Sequence, residues 1–225
     1  MSNKKQLKEQ KNQREDLFLL FLLYSLFNVF LLCFRIYYTT YTTFIFLVWN
    51  LLLAWIPYIL SVFLIKKRKR ELSKPFFFLT LFVWLLFFPN APYILTDLFH
   101  LKSRAGIPLW FDLIFILSYA TNGLFLGLIS LNDLHDLLKR KYSVYVGRFF
   151  SAFSLILGSF GIYMGRYMRF NSWDIFTNPS DVAGSTLYRI IDPSTNRRPI
   201  GLTLLFFCYL SFFYLMIRIL LRRKR

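Results

Sequence analysis

The chain has 225 residues, is 56% hydrophobic and 21% aromatic, and carries a formal net charge of +17. Apolar residues in such long unbroken runs exclude an ordinary soluble domain and imply a multi-span membrane protein. The charge alone would suit nucleic acid, but no nucleic-acid fold signature accompanies it, so no such partner is expected.

About 20 helical residues at 1.5 Å each cross a hydrocarbon layer of roughly 30 Å. Six runs are long enough: about 17–34, 44–65, 76–95, 110–131, 146–165 and 200–217. A basic leader, 1–16, precedes the first. That run exceeds a usual signal core and lacks a small-x-small cleavage site, so it reads as an uncleaved span. The second run ends in "KKRKR" (66–70), a topology signal and a contact for anionic lipids.

The third run, "FFFLTLFVWLLFF", passes directly into "PNAPYILTDLFHL", Pro89 to Leu101. Two prolines break the helix here, and Pro92 fits the first turn of a new short one. With α spacing, Tyr93, Asp97 and His100 share a face. Broken backbone at membrane depth needs protein or a water-filled cavity to satisfy its freed groups, so a polar pocket or tight burial is expected. The fourth run opens with "WFD", Trp110 to Asp112, and carries Gly123 and Gly127. After it, "NDLHDLLKRKY" (132–142) reads as a solvated helix end with no site.

In the fifth run Ser154, Gly158, Gly161 and Gly165 form a stripe that admits a close helix. Arg169 extends that stripe if the helix continues one more turn. Pairing with Gly123 and Gly127 would bring Arg169 level with Asp112. The long loop 166–199 holds "TNPSD", "STLYRIID" and "DPSTNRRP", turn-rich segments around a candidate interfacial helix that could close as a lid. Asn171 and Asp174 form a weak capping box. The sixth run ends in "RRKR" (222–225). Cys33 and Cys208 sit in apolar runs without metal or redox spacing, and "NPS" is not a glycosylation sequon.

One set of inter-run segments holds 20 of the 28 Lys and Arg residues. By the positive-inside rule both termini are then cytoplasmic, and the 166–199 loop is outside. The expectation is a single all-α, six-span domain over 1–225 in a cytoplasmic membrane, with membrane lipids as partners and no resolved oligomeric state. Asn90, Tyr93, Asp97, His100, Asp112, Arg166, Arg169, Asn171, Trp173 and Asp174 gather at its outer face.

"FPNAPYILTDLFHL" (88–101), "WFDL" (110–113) and "GIYMGRYMRFNSWD" (161–174) together resemble the bacterial membrane family catalogued as Domain of Unknown Function 1361. The likeness covers most of the chain from the third span onward, and the first two spans match only in being hydrophobic. It implies a bacterial multi-pass membrane protein and supplies no reaction.

For Asp97 and His100, the chemical reading is an acid–base pair or two metal ligands. The oxygen donors available beside them, Asp112, Asp174 and Asn90, would suit a hard divalent cation better than zinc, and that cofactor is not favoured. The structural reading is a hydrogen-bonded pair ending a helix. Arg166 and Arg169 suit a phosphate or carboxylate on a lipid-linked substrate, or else internal pairing with Asp112 and Asp174. Tyr93, Tyr163, Tyr167, Trp110 and Trp173 are interface aromatics or stacking groups. Recognition or processing of an anionic or lipid-linked substrate, transport or flipping, and non-catalytic assembly with a partner subunit all remain open. There is no nucleophile elbow, phosphate loop, dinucleotide fingerprint or two-histidine zinc motif.

Overall fold

A computed structural model describes residues 2–67, 72–104, 106–184 and 197–222. The "STLYRIID" stretch, most of "DPSTNRRP" and parts of the two basic runs lie outside the described residues. Among those described there is no strand, and six helices are long and apolar enough to cross a membrane. The chain is an all-α, multi-pass membrane protein.

Helix α1 spans Ser2–Thr39, so the basic leader is continuous with the first span. It runs antiparallel to α5 (Leu109–Lys141) and docks through positions 14, 21, 25, 28, 32 and 35, a heptad-like seam. Four of these positions carry polar ties. Arg14 Nη2 donates to Asp133 at 3.0 Å, Asn122 Nδ2 donates to Ser25 at 3.0 Å, Ser118 donates to Asn28, and Arg35 Nε donates to Asp112 at 2.7 Å. The separation from Arg14 to Arg35 equals that from Asp133 to Asp112, 21 positions in each helix, or about 31 Å of rise. Lipid gives helices no hydrophobic reason to associate, so polar pairs of this kind select the partner and the register.

Helix α2 (Phe46–Lys67) lies against α5 and α3, with Pro57 buried in its middle. Helix α3 (Lys74–Phe87) starts with proline in its first turn, where the missing N–H costs no bond. The polar break follows as α4 (Asn90–Tyr93) and a 3-10 helix over Ile94–His100. Phe88, Pro89, Tyr93 and Ile94 all keep right-handed helical dihedrals, so the break rewinds the span without turning the chain. Its freed carbonyls find side chains: Asn90 Nδ2 donates to Phe87 O at 3.1 Å, and Ser172 Oγ to Leu86 O at 2.9 Å.

The rewinding corrects one expectation. At three residues per turn, i and i+3 align, so Asp97 and His100 stay on one face while Tyr93 turns away from them.

Helix α6 (Val144–Met168) is capped by Ser143, which accepts from Val146 N at 3.2 Å. It does not continue through Arg169. That residue takes the left-handed conformation, φ 59°, and closes the helix by donating its N–H to Met164 O. After a single turn, α7 (Asp174–Thr177), and a further helical stretch at 179–184, the described chain resumes as the last span, α8 (Arg197–Arg222).

The glycine stripes of α5 and α6 were expected to face each other, and instead both face the break. A Cβ at Gly158, Gly161 or Gly165 would meet Phe88, Pro89 or Tyr93 at 2.7, 2.7 and 3.0 Å. At Gly123 and Gly127 it would meet Ile94 and Ala91 at 2.6 and 2.7 Å. The two helices approach each other farther along, where Gly147 lies against the His135 carbonyl. They form a V whose open end grips the rewound segment.

At the other end, "NDLHD" is a buried hub and not the solvated helix end its sequence suggested. Asn132, Asp133 and His135 are all buried. Arg218 of α8 donates to Asn132 at 3.0 Å and to Asp136 at 3.4 Å. His135 Nδ1 lies 2.8 Å from Ser151 Oγ of α6 and 2.9 Å from Tyr214 OH of α8. Consecutive residues of one turn point in several directions, so a single turn of α5 ties three other helices. The ends of α1 and α8 therefore meet at this end of the bundle, and the break lies at the other.

Candidate functional site

Two features meet at the break end: a charged cluster inside the bundle and a cleft on its flank. In the cluster, the Asp97 carboxylate is buried and accepts from Asn50 Nδ2 at 2.8 Å, with Arg166 Nη1 at 4.0 Å from its other oxygen. Arg166 Nη1 also lies 3.0 Å from His100 Nε2. A guanidinium only donates, so Nε2 is the acceptor and the ring proton sits on Nδ1. Phe46 lies against the imidazole, ring centroids 5.1 Å apart, and Arg166 lies over Phe99 at 5.1 Å.

The convergence expected of Asp97, His100 and Arg166 is present, but the expected partner of Asp112 is not. Asp112 is 1% exposed and held bidentately by Arg35, Nε to Oδ1 at 2.7 Å and Nη2 to Oδ2 at 3.2 Å. Arg104 adds a contact at 3.4 Å and donates to the His100 carbonyl at 3.3 Å. Phe44 lies between the two guanidiniums, 4.5 and 4.7 Å from them, which favours both cations by cation–π attraction. Arg104 thus links the Asp112 pair to the Asp97 cluster. Neither Arg166 nor Arg169 reaches Asp112, because α6 ends at Met168 and the break fills the space between α5 and α6.

The cleft, about 490 Å³, opens beside this cluster. Leu53 of α2, Phe82 and Leu85 of α3 and Leu157 and Phe160 of α6 give it apolar walls. Its rim is polar: Asn90, Tyr93, Arg169, Asn171 and Ser172. Asn90 Nδ2 donates to Ser172 Oγ at 2.8 Å, fixing the rim to the break. Asn50 belongs to both features, since it lines the cleft and holds Asp97.

Of the residues singled out in the sequence, Asn90, Tyr93, Arg169 and Asn171 line the cleft, and Asp97, His100 and Arg166 form the cluster behind it. Trp173 and Asp174 do neither. Asp174 accepts from Asn171 N at 2.6 Å and from Thr177 at 3.3 Å, organising its own turn, and Trp173 is exposed above it. The oxygen set considered for a divalent cation is not assembled: Asp112 is occupied by Arg35, and Asp174 lies on the loop. Among the described residues no group of three His, Cys, Asp or Glu side chains stands together.

Arg35, Asn50 and Arg104 escaped the sequence reading. A lone Asn in "LVWNLLL" and a lone Arg at the end of the first run were the available signals, since polar residues inside spans mark internal contacts.

Searches among curated proteins and among solved structures returned no match. A family model covers most of the chain, and it begins in α2, one residue before Asn50. The chain belongs to the family described as Protein of unknown function (DUF1361), whose model matches residues 49–217.

Proposed function

We propose that this protein binds a lipid-linked or otherwise amphipathic molecule at the leaflet opposite its termini. By the bias of Lys and Arg along the chain, that is the extracytoplasmic leaflet. The observation that carries the reading is the composition of the cleft, mostly apolar in its walls and polar along one rim and at Asn50. A ligand matching it has an oily part and a polar head. Trp49 and Phe82 line the cleft and are 55% and 50% exposed on the outside of the bundle, so the entrance faces the bilayer and not only the aqueous phase.

Recognition from one side fits better than transport. The cleft lining includes no residue of the buried hub at the terminus end, and Trp84, Phe88 and Leu155 form a closed core between them. Asn50 supports a second reading, processing of the bound molecule, because it places the Asp97 carboxylate one side chain behind the ligand.

The test is retention of lipid. Leu157→Trp fills the cleft from a half-buried position. It is expected to cut amphipaths retained after mild extraction, read by native mass spectrometry, by about tenfold, the equivalent of roughly 1.4 kcal/mol. Unchanged retention in a folded variant would remove the reading.

A further inference from the structure

We propose that the polar head taken by this cleft is a terminal oxyanion, a phosphate monoester or a carboxylate, bound by Arg169. The proposal rests on the cleft being the binding site and adds the chemistry of the head.

Four observations carry it. Among the described residues Arg169 is the only charged side chain in the lining, and no carboxylate there would attract a cationic head. The guanidinium has no ion-pair partner among the described residues, whereas Arg35, Arg104, Arg166 and Arg218 each have one. Two lining residues also carry groups that can donate and have no hydrogen-bond partner among the described residues, the Tyr93 hydroxyl and the Trp49 indole N–H. Finally, Arg169 stands at the left-handed closing position of α6, φ 59°. Helices usually place glycine there, because a side chain is disfavoured. An arginine kept at an unfavourable backbone position, unpaired, at the rim of a cleft, is explained by a ligand that needs its charge. A guanidinium fork matches phosphate and carboxylate oxygens.

The rewound segment and the helix end cooperate in this placement. Gly165 lets the Tyr93 ring approach within 3.0 Å of where a Cβ would stand, so the phenol and Arg169 arrive from two different elements at the same rim. The Asp97–His100–Arg166 cluster is paired within itself, and none of its three residues lines the cleft.

The experiment uses four probes with the same twelve-carbon chain, added to the full-length protein in phosphatidylcholine nanodiscs: dodecyl phosphate, dodecanoate, dodecyl phosphocholine and dodecyl maltoside. At least one of the two oxyanions is expected to bind about tenfold more tightly than the zwitterion and the sugar, and the tighter of them names the head. Arg169→Gln and Arg169→Gly should both abolish that preference, while Arg148→Gln, an exposed arginine near the start of α6, should keep it. Equal binding of all four probes, lost together in Leu157→Trp, would overturn the oxyanion and leave the cleft standing. An oxyanion preference that survives Leu157→Trp would mean that Arg169 only attracts headgroups at the surface, and the proposal would fall. Binding of all probes indifferent to Leu157→Trp would remove the cleft reading as well.

Discussion

Arg35 and Asp112 form the most completely buried ion pair of the described residues, 0% and 1% exposed at the side chain. Removing one partner strands the other charge, and losses of about 3–5 kcal/mol are usual for such a cut. Arg35→Ala and Asp112→Ala should each lower the thermal midpoint in detergent strongly, and Arg35→Met with Asp112→Leu should recover most of it. Additive losses in the double variant would mean that the pair is not a unit.

The Asp97 cluster predicts a different pattern. Asp97→Asn can still accept from Asn50, and His100→Gln can still accept from Arg166. Both, with Arg169→Gln, should stay folded, and all three should fail to complement a deletion strain if the end of the bundle is a working site. Complementation by all three would remove the site. Arg169→Gly should also raise stability by about 1 kcal/mol by relieving the left-handed backbone, so a variant more stable and yet inactive separates function from folding at one residue.

Among the elements, the rewound segment gripped by two glycine faces is the most constrained. A methyl at Gly123 would stand 2.8 Å from the Ala91 carbonyl oxygen, and one at Gly161 would stand 2.7 Å from Pro89 Cβ. Neither neighbour is the end of a flexible side chain, so Gly123→Ala and Gly161→Ala should each cost about 1–3 kcal/mol by overpacking. Gly201→Ala in α8 meets nothing within 4 Å and should be neutral or stabilising in the same unfolding assay. Equal effects at all three positions would contradict close packing at the break.

These elements also show where sequence spacing misled. The stripe of small residues was legible as a close-packing face, but its partner was not. Two smooth faces suit each other in the abstract, whereas in the folded chain the broken span wedges between them.

For the whole molecule, the testable consequence is topology. In a background with Cys33 and Cys208 replaced, Ser180→Cys should react with an impermeant maleimide in intact cells and Ser73→Cys should not, both positions being exposed. The reverse pattern would invert the orientation and move the proposed cleft to the inner leaflet.

The same scale decides how much the sequence could say. Hydropathy determined six spans because a helix in lipid must satisfy its own backbone, so length and apolarity alone suffice. The polar residues at 89–101 and 161–174 were visible for the same reason, since each polar group inside a span stands out against the apolar background. Pairing was not visible. Asp112 chose Arg35 from a helix 77 positions away, Asp133 chose Arg14, and "NDLHD" closed into a hub instead of facing water. The cleft exists only because α3, α6 and the rewound segment leave space between them. A one-dimensional pattern records which groups are costly to bury, but the fold alone decides which of them meet, because partners are selected by proximity across helices and not by spacing along one.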